Sequence, residues 1–459
     1  MSTQIRFPLK AARVVLRPTE PMSTKDRKST QRERLLAGVV DVTNRHGYAA
    51  ANVTAVIAEA GVSRPTFYEY FVDRDDAFRR AIEAAQDELL AKVSTSLGDR
   101  PADEAAARAV NVLIAYAAEQ PARARFLMGE SMAGGAGALA ARDRGIARIA
   151  EEIEAAQTDA APDATLPDVE PRVLVGTVYR MIATRLRRGE PAISKLTGDL
   201  TGWLSSYRRP RDQRRWQTLS LAPLNERSQH VPDVPLQRMP GVLPPGRPRV
   251  SREEVAENHR LRILYAAARL AEDNGYTATT VAEITRLASV DGRVFYRHFA
   301  DKQEAFTALH ELGFQQVMDV TAKAFFAAEG WPRRSWEAGH ALTQLLQANP
   351  LVARIGFVEA YAVGPGAVQR IEDSHAAFMF FLQEGLVHRP AESVPTRVAM
   401  EAIVASVFEI IYLRIRAGEE SRIGAALPDV EHMWLTPFLG ALAADEFIER
   451  QLPLLAHRG

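Results

Sequence analysis

Hydroxyl, phenol and guanidinium side chains are concentrated in two short segments, Ser63 to Phe71 and Gly292 to Phe299. Arg64 and Arg293 stand near the start of their segments, where a guanidinium can contact a guanine edge or a phosphate. Threonine and tyrosine hydroxyls can donate hydrogen bonds to phosphate oxygens, which sets the register of a protein on a duplex. These residue types at this spacing favour contact with DNA.

The prediction covers the outward side of each segment and one cation that follows it. In the first segment the predicted DNA contacts are Ser63, Arg64, Pro65, Thr66, Tyr68, Tyr70 and Arg74. In the second segment they are Gly292, Arg293, Val294, Tyr296, Arg297, His298 and Lys302. Val294 offers methyl groups to a thymine methyl where Thr66 offers a hydroxyl, so two half-sites of different sequence are expected if both segments read bases.

Each segment must be held rigidly by a small helical head. Phe67 and Phe71 lie four residues apart, as do Phe295 and Phe299, so each pair falls on one helix face. Aromatic residues at this spacing are core residues more often than not, and we expect all four to pack inside their heads. The remaining side chains of each helix are then left for the outer surface.

The elements around the first segment follow from glycine and capping residues. Gly47 ends a helix predicted over about 32–46, and Gly61 makes a tight turn. Ser63 is an N-cap residue for the helix that carries the segment. Asp73 is the expected cap of a longer fourth helix. A stop, a short helix, a turn and a capped helix together form a helix-turn-helix pattern.

The same pattern occurs again 228 residues later, without a gap over 47 positions of the head. In the second copy, Gly275 ends the first helix, and Asp291 and Asp301 are the N-cap residues of the third and fourth helices. Ser289 replaces the turn glycine, which costs some strain if the turn is left-handed. DNA readers of this kind usually act as two heads related by a two-fold axis, and this chain carries both.

The repeat continues into the helical segments that follow each head, at an offset of 229. Pro121 is matched by Pro350, and the run Arg187 to Glu190 is matched by Arg416 to Glu419. Between the halves, prolines and an arginine run break any helical periodicity. The predicted division is a basic arm at 1–30, heads at 31–80 and 258–308, helical bodies at 81–207 and 309–450, and a linker at 208–257.

Composition limits the possible classes of protein. The chain has 459 residues, no cysteine and a formal net charge of zero, so any affinity for DNA must come from local basic clusters. The absence of cysteine excludes disulfides and thiolate metal sites and suits a reducing cytoplasm. No apolar stretch approaches the about 20 residues of a membrane span.

An enzyme is the obvious alternative class, and the sequence argues against it. It has no metal-binding His-Glu-x-x-His, no phosphate-binding glycine loop and no serine elbow. We therefore expect no catalytic residue, metal or cofactor. The pairs His310-Glu311 and Glu431-His432 are expected on the surface.

The run from Ala58 to Phe71, followed by Asp73 to Phe78, resembles the TetR family of transcriptional regulators. The resemblance covers about 32–80, and about 260–308 is similar except at Ser289, Asp291 and Gly292. It implies an all-α chain of two tandem units, each a helix-turn-helix head on a body that binds a small molecule and dimerises. An effector would then release a double-stranded DNA operator, as expected of a repressor.

The resemblance also implies which helices pair and where an effector would bind. The pairing helices would be about Pro171 to Arg188 with Ser194 to Tyr207, and about Thr396 to Ala417 with Asp429 to Leu442. Aromatic and methionine side chains are the candidate pocket residues, although such stripes are more often plain core. They are Tyr116, Phe126, Met128, Met132 and Tyr179 in the first body, and Phe357, Tyr361, His375, Phe378 and Tyr412 in the second.

Two arrangements remain open at this point. The halves can pair within one chain as a pseudo-dimer, since a linker of about fifty residues reaches ~40 Å as a flexible coil. Alternatively, two chains form a homodimer with four heads. A ligand sensor or protein-interaction module with only the first head active on DNA is the second functional hypothesis.

Overall fold

We describe the protein from a computed structural model. It describes residues 24–98, 101–158, 160–161, 163–190, 192–210, 236–243, 251–389 and 395–456. Most of the predicted basic arm and most of the predicted linker lie outside these ranges. Within them, the chain is helical apart from one pair of short strands, as the sequence predicts.

In the part of the first half that the structure describes, there are eight longer helices and several short turns. The helices are α1 (Thr24–His46), α2 (Val53–Ala60), α3 (Arg64–Tyr70), α4 (Arg74–Leu97), α5 (Ala105–Glu119), α6 (Ala136–Thr158), α7 (Pro171–Arg187) and α8 (Leu196–Ser205). The shorter turns are Tyr48–Ala50, Ala102–Glu104, Pro121–Ala124, Arg125–Gly129, Glu130–Ala133 and Ile193–Lys195. The first helix begins eight residues before the predicted start at Arg32.

The second half repeats this order. Its helices are α9 (Arg252–Ala278), α10 (Val281–Ala288), α11 (Gly292–His298), α12 (Lys302–Ala327), α13 (Trp331–Ala348), α14 (Pro365–Gln383), α15 (Arg397–Arg416), α16 (Leu427–Leu439) and α17 (Ala441–Ala456). Its shorter turns are Pro350–Arg354, Ile355–Glu359, Ala360–Val363, Glu384–Val387 and Glu420–Ala426. Gly275 leaves helical geometry with φ 79°, so the last residues of α9 form a separate turn.

Side-chain caps fix the ends of the helices in both heads. Asp73 accepts a hydrogen bond from the backbone N–H of Asp76, and Asp301 accepts one from Glu304. The N3 carboxylates in turn accept from the N–H groups of Val72 and Ala300, one residue before the cap. The fourth helix of each head, α4 or α12, then runs on into the body without a break. Each predicted head–body boundary therefore falls inside one continuous helix.

Two features of the linker region were not predicted. Arg208–Pro210 pairs antiparallel with Thr165–Pro167, which makes a two-stranded ladder of β1 (Thr165–Pro167) and β2 (Arg208–Pro210). The helix α9 begins at Arg252, inside the predicted linker, because Ser251 and Glu254 form a capping box there. The linker as predicted, 208–257, is thus too long at both ends.

A short part of the linker packs on the second half, and we call residues 236–243 the strap. Leu236 is buried, and the carbonyl oxygen of Pro240 accepts a hydrogen bond from Arg262 at 2.7 Å. The carbonyl oxygen of Gly241 accepts one from Asn258 at 3.1 Å. The strap therefore lies against α9 of the second head.

The two halves pack against each other through α7 and α15, with α8 and α16 beside them. At the centre, Arg180 and Glu409 form a buried ion pair. Two further ion pairs flank it in matching positions, Arg187 with Glu372 at 2.7 Å and Arg416 with Asp143 at 2.8 Å. These contacts join the halves around an approximate two-fold axis.

Further along the same interface, the phenol of Tyr207 donates to the carbonyl oxygen of Met433 at 2.8 Å. Arg209 pairs with Asp445, whose carboxylate also contacts His432. Among the described residues, no helix is both long and apolar enough to cross a membrane.

Candidate nucleic-acid interface and internal cavity

The first recognition helix, α3, is held by its cap and by two phenylalanines. Ser63 Oγ accepts from the N–H of Thr66 at 3.3 Å and lies 2.8 Å from the Thr66 hydroxyl. Gly61 adopts the left-handed conformation that the turn needs. Phe67 and Phe71 are buried with ring centroids 5.4 Å apart, as the sequence predicts.

The outward face of α3 carries most of the predicted DNA contacts. Ser63, Arg64 and Pro65 are exposed, and half of the Tyr68 side chain is accessible (51%). Thr66 and Tyr70 are partly buried. The Arg64 guanidinium donates to the Thr54 hydroxyl at 2.9 Å, and it remains on the surface of the head. A guanidinium in this position can rotate onto a base edge or a phosphate.

Arg74, the cation that follows the first segment, also has contacts within its own head. Its guanidinium lies 4.5 Å from the ring centroid of Tyr48 and donates to the Tyr48 phenol at 3.1 Å. A third contact is the ion pair with Asp75 at 2.9 Å. These three contacts fold the side chain onto its own head, because an arginine stacks well on an aromatic face.

The second recognition helix, α11, has the same construction with different residues. Asp291 accepts from the N–H of Arg293 at 2.7 Å, and Phe295 and Phe299 are buried. Ser289 takes the turn position with φ 51° and ψ 49°, so the turn is left-handed without a glycine. It is the one non-glycine residue with positive φ among the described residues.

The outward face of α11 is more basic than that of α3. Gly292, Arg293, Tyr296 and Arg297 are exposed, while Val294 and His298 are partly buried. The exposed fraction of Tyr296 is 62%. Burial lowers the pKa of His298, and electrostatic repulsion from basic neighbours, among them Arg297 and Arg260, lowers it further.

Lys302, the matching cation after the second segment, also has contacts within its own head. Its ammonium donates to the carbonyl oxygens of Tyr276 and Thr279 at 2.9 and 2.8 Å and lies 4.2 Å from the Tyr276 ring centroid. Burial lowers its pKa. Arg74 on Tyr48 and Lys302 on Tyr276 are equivalent contacts in the two heads, and both hold the fourth helix to the segment after the first.

The second body contains a cavity with about 80 Å³ of space for the centre of a water molecule. Seven of its lining residues lie on one face of α12, from Leu309 to Phe325. Leu236 of the strap also lines it. Of the predicted pocket residues, Phe357 and Phe378 line this cavity.

The other predicted pocket residues lie elsewhere. Met128, Met132, Tyr361 and His375 line a smaller pocket between the two halves, of about 20 Å³ on the same measure. The remaining four are buried and line neither of these two spaces: Tyr116, Phe126, Tyr179 and Tyr412. The Tyr412 phenol donates to Asp143 of the first half at 2.8 Å, so it belongs to the interface.

The expectation that His310, Glu431 and His432 lie on the surface is wrong. Their exposed fractions are 7, 2 and 0%. His310 and Glu431 line the cavity of the second body, and His432 lies in the interface between the halves. This burial could not be read from the sequence, because it depends on packing against residues that are distant in the chain.

Comparisons with known proteins agree with the two heads. The sequence model of the family described as bacterial regulatory proteins, tetR family, matches residues 35–81 and 263–309. Each match contains one of the recognition helices α3 and α11.

Two curated relatives match parts of the chain. Over 124 residues, 27% of this chain, it is 30% identical to an uncharacterized HTH-type transcriptional regulator of Mycobacterium tuberculosis, of which the match covers 53%. It is 34% identical over 76 residues to YfiR, an uncharacterized HTH-type transcriptional regulator of Bacillus subtilis; this match covers 17% of the chain and 37% of YfiR. The chain thus spans about half the length, or less, of these relatives.

Solved structures of similar proteins include the fatty acid degradation regulator FadR from Bacillus halodurans. It has a TM-score of 0.36 and 17% identity, over 39% of this chain and 94% of FadR. SmeT, the repressor of the Stenotrophomonas maltophilia multidrug efflux pump SmeDEF, has a TM-score of 0.31 and 18% identity, over 40% of this chain and 93% of SmeT.

Both matched segments contain a capped recognition helix after a left-handed turn, and each leads into a helical body. Each of the two heads thus matches the family of bacterial regulatory proteins of the tetR type, and the chain carries two such heads in tandem.

Proposed function

We propose that the protein is a ligand-responsive transcriptional repressor that acts as a pseudo-dimer within one chain. Its two non-identical heads bind the two halves of one imperfect palindromic operator in double-stranded DNA. A small-molecule effector that enters the second body releases the operator. The protein works in the cytoplasm, on the nucleoid.

The observation that carries this proposal is the interface between the halves. Arg180 of α7 and Glu409 of α15 are 8 and 0% exposed and pair at 2.7 Å. Oppositely charged residues at the matching position of each half favour pairing of unlike halves, because two like charges would be buried together if identical halves met. This supports one chain as the functional unit with two heads.

The chemistry of the two recognition helices supports an operator with unlike halves. Thr66 of α3 is matched by Val294 of α11, and Glu69 is matched by Arg297. The second substitution replaces an acidic side chain by a basic one on the exposed face. The second head is therefore expected to contribute more phosphate contacts and to prefer a different base sequence.

The position of the cavity supports control of the second head. The helix α12 begins in that head and lines the cavity from Leu309 to Phe325. A ligand that displaces this helix shifts the head attached to its first turn. The strap adds a second connection, because Leu236 lines the cavity while Pro240 accepts a hydrogen bond from Arg262 of the head.

The test is footprinting and quantitative DNA binding on fragments selected from genomic DNA with the full chain. We expect one chain per operator, with half-site centres about 34–36 Å apart. Tyr68→Ala and Tyr296→Ala should each weaken DNA binding, and each should reduce the footprint over one half-site. Phe326→Ala is the control, because this ring is also exposed but lies about 36 Å along α12 from its first residue.

Two results would contradict the proposal. If only Tyr68→Ala weakens binding and two chains occupy a symmetric operator, the second head is inert and the protein acts as a homodimer. If neither tyrosine variant weakens binding, regulation through these helices is wrong.

A further inference from the structure

The cavity of the second body has an unusual polar content for an otherwise apolar space. Three of its lining side chains have a buried atom without a hydrogen-bond partner among the described residues: His310 Nδ1, Ser335 Oγ and Glu431 Oε2. These side chains are 93, 97 and 98% buried, since 7, 3 and 2% of each is exposed. The other two hydroxyls of the lining, Thr321 and Ser374, donate to carbonyl oxygens of their own helices.

Unpaired polar atoms in a buried space reduce the stability of a fold, so a partner for them is expected. The first body has apolar residues at the matching positions. His310 is matched by Ile82, Ser335 by Ala106, and Glu431 by Leu200, the fifth residue of α8 as Glu431 is of α16. The polar groups are thus a property of the second body alone and are not required by the fold.

Ser335 and Glu431 lie at one end of the cavity. Ser335 and Gly339 are one turn apart on α13, and a side chain on Gly339 would overlap the Glu431 carboxyl group. The loop between α12 and α13 is three residues long, so these helices run antiparallel and Ser335 lies near Phe325. His310 lies fifteen residues earlier on α12, about 22 Å away along the helix.

The lining restricts the kind of molecule that fits. Its residues on α12 extend over about 24 Å, which suits a long and narrow molecule. Of the described lining residues, none is a lysine or arginine, so an anionic group would be buried without a countercharge. Glu431 is the one carboxyl group of the lining and can form an ion pair with a basic nitrogen.

We propose that the cavity of the second body binds a long-chain apolar amine, whose nitrogen lies between Glu431 and Ser335 and whose chain runs along α12 towards His310. The ammonium donates hydrogen bonds to the carboxylate and to the hydroxyl, and the hydrocarbon chain is covered by the apolar lining. This inference rests on the proposed effector site and names its ligand class.

Burial raises the pKa of Glu431 to about 8, so the carboxyl group is largely protonated at neutral pH when no cation is present. The protonated group avoids the cost of a buried charge, and it releases its proton to solvent when an ammonium ion binds. Burial also lowers the pKa of His310 to about 4, which keeps the imidazole neutral and adds no repulsion to a cationic ligand.

The test compares three ligands of equal chain length on the full chain without DNA: decylamine, decanol and decanoate. Calorimetry and thermal melting should show that decylamine binds about tenfold more tightly than decanol and that decanoate binds weakest. Glu431→Gln should lower decylamine affinity about tenfold or more and leave decanol affinity within about twofold. Glu449→Gln removes an exposed carboxylate from α17 and should change neither affinity.

Equal affinity for decylamine and decanol in the native chain would overturn the proposal, and this comparison does not depend on any variant folding. Tighter binding of decanoate would overturn it as well. Operator release is measured separately. If decylamine binds through Glu431 but leaves DNA binding unchanged, the ligand site stands and the proposed control of the heads fails.

Discussion

Arg180 and Glu409 occupy matching positions in the two halves, 229 residues apart, and they bind each other, with Nε and Oε2 separated by 2.7 Å. The space for the carboxylate comes from Gly176, where any side chain would overlap Glu409. The Tyr361 hydroxyl accepts a further hydrogen bond from the Arg180 guanidinium. A residue of one repeat has thus become the partner of its own counterpart.

The first prediction concerns this pair. Arg180→Met should lower the free energy of unfolding by about 3–5 kcal/mol, because Glu409 is left buried without its countercharge. Arg180→Glu should be at least as harmful, and the exchange Arg180→Glu with Glu409→Arg should recover most of the loss. Urea unfolding measures all three. Arg397→Met removes an exposed partner of Glu401 and should cost less than about 1 kcal/mol. A neutral Arg180→Met would show that the pair does not hold the halves together.

The second prediction concerns Arg262 and its counterpart Arg34. Arg262 is buried and donates to the carbonyl oxygens of Ala288 and Pro240 at 2.8 and 2.7 Å. Arg34 is exposed and, among the residues that the structure describes, donates to the carbonyl oxygen of Gly61 at 3.2 Å. We expect Arg262→Met to cost about 2 kcal/mol or more and Arg34→Met about 1 kcal/mol or less.

Hydrogen exchange checks where the Arg262 loss occurs. Faster exchange should be confined to the second head and the strap in Arg262→Met. Equal effects of the two substitutions would mean that the strap adds nothing to the second head.

The third prediction concerns Lys302 and Arg74, which lie against tyrosines of their own heads. Lys302→Met and Arg74→Met should lower the melting temperature and leave the dependence of DNA affinity on salt almost unchanged. Arg64→Met and Arg293→Met should instead reduce the slope of log K against log salt by about 1 each, because each removes a predicted phosphate contact of the exposed surface. A reduced slope of log K against log salt for Lys302→Met would show that Lys302 contacts DNA, as the sequence predicts.

The fourth prediction concerns the pH dependence of stability. The pKa of Glu431 is raised by burial from 4.5 to about 8. Between about pH 5 and pH 8 the unfolded chain ionises this carboxyl group while the folded chain keeps the proton, so stability falls as pH rises through this range. Glu431→Gln removes this loss. The free energy of unfolding of Glu431→Gln minus that of the native chain should therefore be larger at pH 8 than at pH 5, by a few kcal/mol at most.

Chemical unfolding at both pH values measures this difference, with Glu449→Gln as the matched control. His310, the other ionisable residue of the lining, remains neutral over the range because its pKa is lowered to about 4. A constant difference between Glu431→Gln and the native chain at both pH values would show that Glu431 ionises normally in the folded state.

The fifth prediction concerns the turn of the second head. Ser289 adopts φ 51°, a conformation that costs a non-glycine residue up to about 1 kcal/mol. Ser289→Gly should stabilise the second head by no more than that amount, and Gly61→Ser should destabilise the first. Thermal unfolding of the two variants checks both directions. A loss of stability in Ser289→Gly would show that the serine side chain supports the turn.

Sequence patterns predicted the elements that depend on neighbours in the chain. The pairs Phe67 with Phe71 and Phe295 with Phe299 are local, and so are the caps at Ser63 and Asp291. The TetR-type heads and the all-α class follow from such local patterns, and the family match agrees with them.

The features that were missed depend on residues that are distant in the sequence. Arg74 meets Tyr48 from 26 positions away, and Lys302 meets Tyr276 from the same distance. No spacing rule relates such pairs, because the approach of two helices decides them. Glu431 was assigned to the surface for a similar reason, since its burial depends on the absence of a side chain at Gly339 of another helix.

The pairing of Arg180 with Glu409 has a consequence for how such a protein can change. In a regulator made from two identical chains, one substitution alters both recognition helices at once. The base sequences of both half-sites must then change together. Here each half always meets its complement in a fixed ratio, whatever the expression level. A mutation in α11 leaves α3 unchanged, so under the proposed function the sequence of one half-site can change while the other half-site is still bound.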